Sequence, residues 1–198
     1  PCWVDGISGG AVDFNGVSDY FSIPSLNSKY YPYYKTTFSA AGWFKTEQSS
    51  GMQTIVGNWN QYSFSPYPGQ PDVTLYFGWQ VLVENNKVVV RFGQAGTTVK
   101  DITGSVDVND GQWHHFTFVF ASQFSESSLY IDGELDAAPE VIFGIISNTR
   151  FRIGDGSYAN SGAPPLKGGP FDGTIDDVIL FDCVLTAGEV KGVYRSSP

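Results

Sequence analysis

His114 and His115 stand side by side in NDGQWHHFTFVF (residues 109–120) and are the two histidines of the chain. Paired histidines can hold a metal or run acid–base chemistry. In a strand, alternate residues face opposite ways. Trp113, His115, Thr117 and Val119 then share one face, and His114, Phe116, Phe118 and Phe120 the other. The phenylalanine face must be core, which puts His114 at its rim and turns His115 elsewhere. Adjacent strand residues do not converge on one metal without a bulge, and H-E-x-x-H spacing and a third histidine are both missing. The pair is expected to be structural, hydrogen-bonded at the start of a strand.

Two other groups carry possible chemistry. Tyr30, Tyr31, Tyr33, Tyr34, Trp59, Tyr62, Tyr67 and Tyr158 lie beside polar residues such as Asn58, Asn60, Gln61 and Asn160. Sugars present C–H faces that pack on aromatic rings and hydroxyls that need amide and carboxylate partners, so this is a composition for carbohydrate contact. The alternative is that these rings plug the ends of the fold. Trp3, Trp43, Trp79 and Trp113 fall in strand-like runs and are expected in the core. The second group is Asp19, Asp176 and Asp177. In TIDDVILF, Val178 and Leu180 read as inward, which gives Asp176 inward parity. In SDYFSIP, Phe21 and Ile23 do the same for Asp19. An inward carboxylate is costly unless paired, hydrogen-bonded or metal-bound.

The elements that must hold these residues are strands. AVDFNG, DYFSIP, FSAAGWFKT, TIVGNW, VTLYFGWQVLV, KVVVRFG, HHFTFVFA, SSLYIDGE, FRIGDG and GTIDDVILF are short β-branched or aromatic runs punctuated by Gly, Asn, Asp or Pro. Asn85-Asn86 and Asp132-Gly133 read as hairpin turns. NQYSFSPYPGQPD, SYANSGAPPLKGGP and SKYYPYYKTT read as long loops. In LTAGEVKGVYRS, Thr186 stands three residues before Glu189, the spacing of a capping box, and Val190 and Tyr194 share a face, so a short helix or helical turn closes the chain. The pattern predicts one all-β domain over 1–198, an antiparallel two-sheet sandwich.

Composition bounds the function. Of 198 residues, 41% are hydrophobic and 16% charged, which is globular rather than disordered. A formal charge of −9 repels phosphate, disfavouring nucleic acid and anionic membrane, and no apolar run approaches a membrane span. The chain shows no initiating Met and no signal peptide, so a mature product or an excised domain is expected. Cys2 and Cys183 form either one disulfide, implying an oxidising compartment, or two buried thiols. Closing so long a loop would be worth on the order of 5 kcal/mol.

Several stretches together resemble the laminin G-like members of the concanavalin A-like lectin/glucanase superfamily. SGGAVDFNGVSDYFSIP resembles the first hairpin, NDGQWHHFTFVF the "DG-x-WHH" strand, and SLYIDGELD the strand and turn that follow. FRIGDGS and FDGTIDDVILFDCVLTAGEV resemble the closing strands and terminal helical turn. They run in family order from Ser8 to Val190. The resemblance implies a jelly roll whose first and last strands are neighbours, which would bring Cys2 and Cys183 within reach of a disulfide.

It also implies what to look for. Family enzymes that cleave β-glucans carry an E-x-D-x-x-E strand. Here Glu134 and Asp136 keep the first spacing, but Glu140 comes four residues later and Pro139 intervenes, so a solvated turn is expected and no catalytic residues are assigned. Superfamily members often hold Ca²⁺, for which Asp19, Asp176 and Asp177 are the candidates here, with Asp13, Asn15 and Asp172 nearby. Hydrogen bonding to turn amides is the alternative. The expected function is a secreted, non-catalytic, lectin-like module that binds a glycan or polysaccharide, through Asn58, Trp59, Asn60, Tyr62, Tyr67, Tyr158 and Asn160. Multivalency, for instance as a homo-oligomer, would supply avidity. The rival is an adhesion module that recognises an extracellular-matrix or cell-surface protein, with the SKYYPYYKTT aromatics as contacts.

Overall fold

The computed structural model describes residues 1–23, 37–94, 97–121, 126–141, 151–156 and 168–196. In chain order the strands begin with β1 (Cys2–Asp5), β2 (Gly10–Asn15), β3 (Phe21–Ile23), β4 (Phe38–Lys45) and β5 (Met52–Gly57). A hairpin of β6 (Asn60–Phe64) and β7 (Val73–Phe77) follows, then β8 (Trp79–Glu84), β9 (Lys87–Gln94) and β10 (Thr98–Thr103). The second half holds β11 (His114–Phe120), β12 (Glu126–Ile131), β13 (Glu134–Val141), β14 (Phe151–Ile153), β15 (Asp172–Phe181) and the helix α1 (Ala187–Ser196).

The strands form the expected antiparallel jelly-roll sandwich. One sheet runs β1-β2-β15-β4-β11-β12-β13 and the other β10-β9-β8-β5-β14-β3, with β6-β7 as a separate ribbon. Alternation explains the layering. Phe116, Phe118 and Phe120 point inward from β11 and meet Trp79, Val81 and Val83 of β8 and Val88, Val90 and Phe92 of β9. Phe38 joins them, its ring centroid 5.0 Å from that of Trp79 and 5.8 Å from that of Phe118. Each such side chain contributes roughly 1.5–3 kcal/mol on burial.

Both predicted turns are present. Asn85 (φ 51°) and Asn86 (φ 67°) join β8 to β9, and Asp132 (φ 52°) and Gly133 (φ 79°) join β12 to β13. Two positive φ values suit the right-handed twist of a tight hairpin, and Asn, Asp and Gly tolerate them. The capping box also forms: the Thr186 amide donates to Glu189 Oε2 (2.8 Å) and the Glu189 amide to Thr186 Oγ1 (3.3 Å). The helix packs on the outer face of the seven-stranded sheet, where Val190 joins Val119 and Leu185 and Tyr194 stacks on Trp43 at 5.3 Å.

Three local expectations change. VTLYFGWQVLV is two strands, split where Gly78 (φ 82°) turns the chain against Asn58. NQYSFSPYPGQPD is the first arm and tip of the β6–β7 hairpin, not an open loop. GELDAAPE is the edge strand β13 rather than a solvated turn, and an edge tolerates Pro139 because one side of its backbone needs no ladder partner.

Candidate functional site

The histidines are structural. His114 Nδ1 lies 2.9 Å from Asp132 Oδ2 and its Nε2 3.3 Å from Asp110 Oδ1. The other Asp132 oxygen accepts the His115 amide at 2.8 Å. The Asp132 turn thus clamps the start of β11, which ties the two sequence signatures WHH and IDG to one contact. The bond to Asp132 raises the His114 pKa. His115 lies on the opposite face, its ring 5.0 Å from Trp43 and 5.8 Å from Tyr194 of α1. Burial pushes it down to about 4, leaving a neutral imidazole beneath the helix.

The acids of β13 do not assemble as a catalytic pair. Glu134 pairs with Lys191 of α1 at 2.9 Å, while Asp136 accepts the Ser105 and Val106 amides and the Ser105 hydroxyl. The side chain of Glu140 lies outside the described residues.

Asp176 and Asp177 are placed by a bulge. β15 gains one residue opposite β4 between Asp176, paired with Trp43, and Ile179, paired with Ala41. Asp177 absorbs it with φ 44°. Ile175 and Val178 therefore both pack against the core and Leu180 pairs with the core residue Ala40, so Val178 and Leu180 keep their inward parity, whereas Asp176, paired with Trp43, falls on the other face. Asp176 is nevertheless buried, and hydrogen bonds satisfy it: Ile7 N donates to Oδ2 and Asp177 N to Oδ1, both at 2.9 Å. Asp19 sits 2.9 Å from the Pro1 amine. Among the described residues no group of three or more His, Cys, Asp or Glu is gathered for a metal.

Cys2 and Cys183 are free and exposed, so neither the disulfide nor a buried thiol pair is realised. Register gives the reason. Cys2 faces Asp13 across β1–β2, Asp13 faces Thr174 across β2–β15, and Cys183 lies nine residues past Thr174. At about 3.3 Å per residue the two are on the order of 25 Å apart, far beyond the roughly 7 Å Cα separation a disulfide spans. The terminal strands are close, but the cysteines sit at opposite ends of them.

The loop aromatics divide. Trp59 is 3% exposed and packs on Tyr76, and Asn58 is buried with Oδ1 accepting the Trp79 amide at 3.0 Å. These two build the corner between β5 and the hairpin, and Trp59 lines a small cavity with Thr54, Gln80, Arg152 and Asp155. Asn60 is half-buried at the base of the hairpin. Tyr62 and Tyr67 are exposed, and Tyr62 stacks on Phe64 with ring centroids 5.8 Å apart. Tyr30, Tyr31, Tyr33, Tyr34, Tyr158 and Asn160 lie outside the described residues. Of the strand tryptophans, Trp43 and Trp79 are buried, whereas Trp3 is 76% exposed on an edge and Trp113 is half-buried under Lys45.

A polar cleft that the sequence pattern did not single out lies at the outer face of the seven-stranded sheet. Asp13, Thr174 and Lys45 form one cross-strand row on β2, β15 and β4. With Glu47, Gln48 and Asp172 they line a cavity of about 470 Å³. Its frame is preorganised by buried groups. Thr46 Oγ1 donates to the Asp172 carbonyl (2.7 Å), the Asp172 amide donates to Gln53 Oε1 (3.0 Å), and Gln53 Nε2 donates to the Gln48 carbonyl (3.1 Å). Lys45 Nζ stands 5.1 Å above the Trp113 ring, placing an aromatic face beside the cleft. Asp13 and Asp172 entered the sequence reading only as nearby acids. Their convergence with Lys45 depends on strands distant in the chain.

Residues 15–191 match the Laminin_G_3 family of the concanavalin A-like lectin/glucanases superfamily. The chain belongs to this family. Over 133 residues this laminin G-like chain is 31% identical to the rat (Rattus norvegicus) sushi, von Willebrand factor type A, EGF and pentraxin domain-containing protein 1. The match takes in 64% of the chain and only 3% of the length of that protein. The binding domain of Paraclostridial Mosquitocidal Protein 1 has a TM-score of 0.70 at 16% identity, covering 98% of this chain and 45% of that one. The binding domain of botulinum neurotoxin DC is similar in two structures, each covering 94% of this chain and 42% of that one. One is a complex with SialylT (TM-score 0.65, 15% identity) and the other a complex with rat synaptotagmin II (0.63, 16%). At these identities the likeness is one of fold.

Proposed function

We propose that this laminin G-like chain is an extracellular, non-catalytic carbohydrate-binding module whose saccharide site is the cleft over Asp13, Lys45, Glu47, Gln48 and Asp172. The observation that carries the reading is the prebuilt polar frame of the cleft, with an aromatic ring at its side. Carboxylates and an amide meet sugar hydroxyls, and the Trp113 ring, held beneath Lys45 beside the cleft, is a surface on which a saccharide that moves the flexible ammonium aside packs its C–H face. Three carboxylates against one ammonium, on a chain of net charge −9, favour a neutral saccharide over a sulfated or carboxylated one. The neurotoxin DC domain in complex with SialylT supports the reading as an instance of glycan recognition on this fold.

A glycan array with and without EDTA is the test, run on the parent, Asp172→Asn and Trp113→Ala. Asp172 holds the frame through its backbone, so Asp172→Asn keeps the fold. Signal on neutral glycans that both variants lose is expected, and silence on every sugar class sinks the proposal. The EDTA arm reads whether a cation such as Ca²⁺ takes part.

A second reading, recognition of a matrix or cell-surface protein, is favoured by the exposed ribbon of Tyr62, Phe64 and Tyr67 (73% exposed) on the β6–β7 hairpin. The neurotoxin DC complex with synaptotagmin II is support for that use of the fold. Glycan-independent capture of a protein that Tyr62→Ser abolishes would favour it.

A further inference from the structure

The seven-stranded sheet ends on β1 and the six-stranded sheet on β3, and both edges lie on the same side of the sandwich. Both strands are short, four and three residues, and among the described residues no further strand pairs with either edge. Between them runs a groove of about 200 Å³, floored by Val12, Phe14 and Ile175 and walled by Trp3, Phe21 and Ile153. Trp3 and Phe21 leave large apolar surfaces in water, which is costly unless something covers them.

One end of the groove is acidic. Asp176 spends both oxygens on backbone amides, as described above. Asp177, thrown outward by the bulge, lines the same groove, and among the described residues its carboxylate has no hydrogen bond or ion pair. Bulges are a common means of re-aiming a side chain at a site. No lysine or arginine is among the described residues lining the groove.

We propose that this groove docks a segment of a protein partner that presents one large apolar side chain next to a lysine or arginine. The apolar group fills the space between Trp3 and Phe21, and the cation meets Asp177. The volume is below the roughly 300–1,000 Å³ of small-molecule sites and suits a single anchor side chain. The charge of the partner follows from complementarity: the mouth carries an unpaired acid on a chain of net charge −9, so an acidic segment is repelled. The same two strands then serve two sites. Val12 and Ile175 face the groove, while Asp13 and Thr174, one residue away on each, face the polar cleft. The docking proposal does not rest on the saccharide reading.

The test is a titration of the ¹⁵N-labelled chain with acetyl-Phe-Arg-amide, acetyl-Phe-Glu-amide and acetyl-Ser-Arg-amide, followed by NMR. Saturable shifts of the Trp3 indole and of the Val12 and Ile175–Val178 amides are expected with Phe-Arg. Binding is expected to be about fivefold weaker for Phe-Glu, the factor an exposed ion pair supplies. Asp177→Asn, which a left-handed backbone accommodates, should remove that preference, and Trp3→Ala should weaken Phe-Arg and Phe-Glu alike. Equal binding of Phe-Arg and Phe-Glu by the parent overturns the proposal. So does a preference that survives Asp177→Asn, or the absence of saturable shifts at the groove.

Discussion

Replacing His115 with Phe should make the protein resist acid better than the parent. His115 is 2% exposed and held between Trp43 and Tyr194, with Nδ1 lacking a partner. Burial holds its pKa at about 4, against an ordinary value near 6.5. Between those two pH values the unfolded chain carries a proton that the native chain does not. Stability therefore falls as pH is lowered through this window and levels off below about 4. The gap corresponds to about 3 kcal/mol at pH 4, a sizeable share of the roughly 5–15 kcal/mol that holds a typical domain. His114 works in the opposite sense. Its raised pKa gives stability that is complete below the unfolded value and lost as pH rises through the folded one. That contribution is common to both proteins and cancels in the comparison. The assay is urea unfolding of parent and His115→Phe at pH 7 and pH 4. The stability difference should move by about 3 kcal/mol in favour of the variant at the lower pH. If the two acid limbs run parallel, the buried neutral imidazole is not what limits acid stability, and the reasoning fails.

Two further outcomes follow from the same geometry. Asp132→Ala removes a charge-assisted bond to His114 and the acceptor for the His115 amide, and it puts Ala at φ 52°. A loss of about 3–5 kcal/mol in chemical denaturation is expected, with Asp132→Asn losing less because Asn keeps an acceptor and tolerates the conformation. Cys2 and Cys183 should both react with a thiol reagent in the folded, non-reduced protein, since both are free and exposed. An unreactive pair whose mass is two hydrogens lower would refute the register that separates them.

The strand pattern, the two hairpin turns and the capping box were legible because each depends on residues a few positions apart. Alternation put Phe116, Phe118 and Phe120 inward and His115 on the opposite face, as found. Asn85-Asn86 and Asp132-Gly133 announced positive φ by composition alone. Thr186 and Glu189 announced a helix start. The family signature was likewise written in local strings.

What the tertiary structure decided are the matters that couple distant strands. One extra residue in β15 reversed the parity of Asp176 relative to Val178 and Leu180, and period-2 reasoning carries no signal of a bulge until the partner strand is known. Trp59 reads as a loop aromatic beside asparagines, yet the corner at Gly78 folds it inward. Trp3 reads as a strand residue, yet an edge strand leaves it in water. Cys2 opens β1 and Cys183 follows the end of β15, and because β15 runs parallel to β1 it carries Cys183 to the far end. The polar cleft joins residues near 13, 45 and 172 only because β2, β15 and β4 lie side by side. Local sequence settles what each segment becomes, because backbone propensity and alternation act over a few residues. The pairing of strands settles what meets what, because that depends on register across the whole sheet.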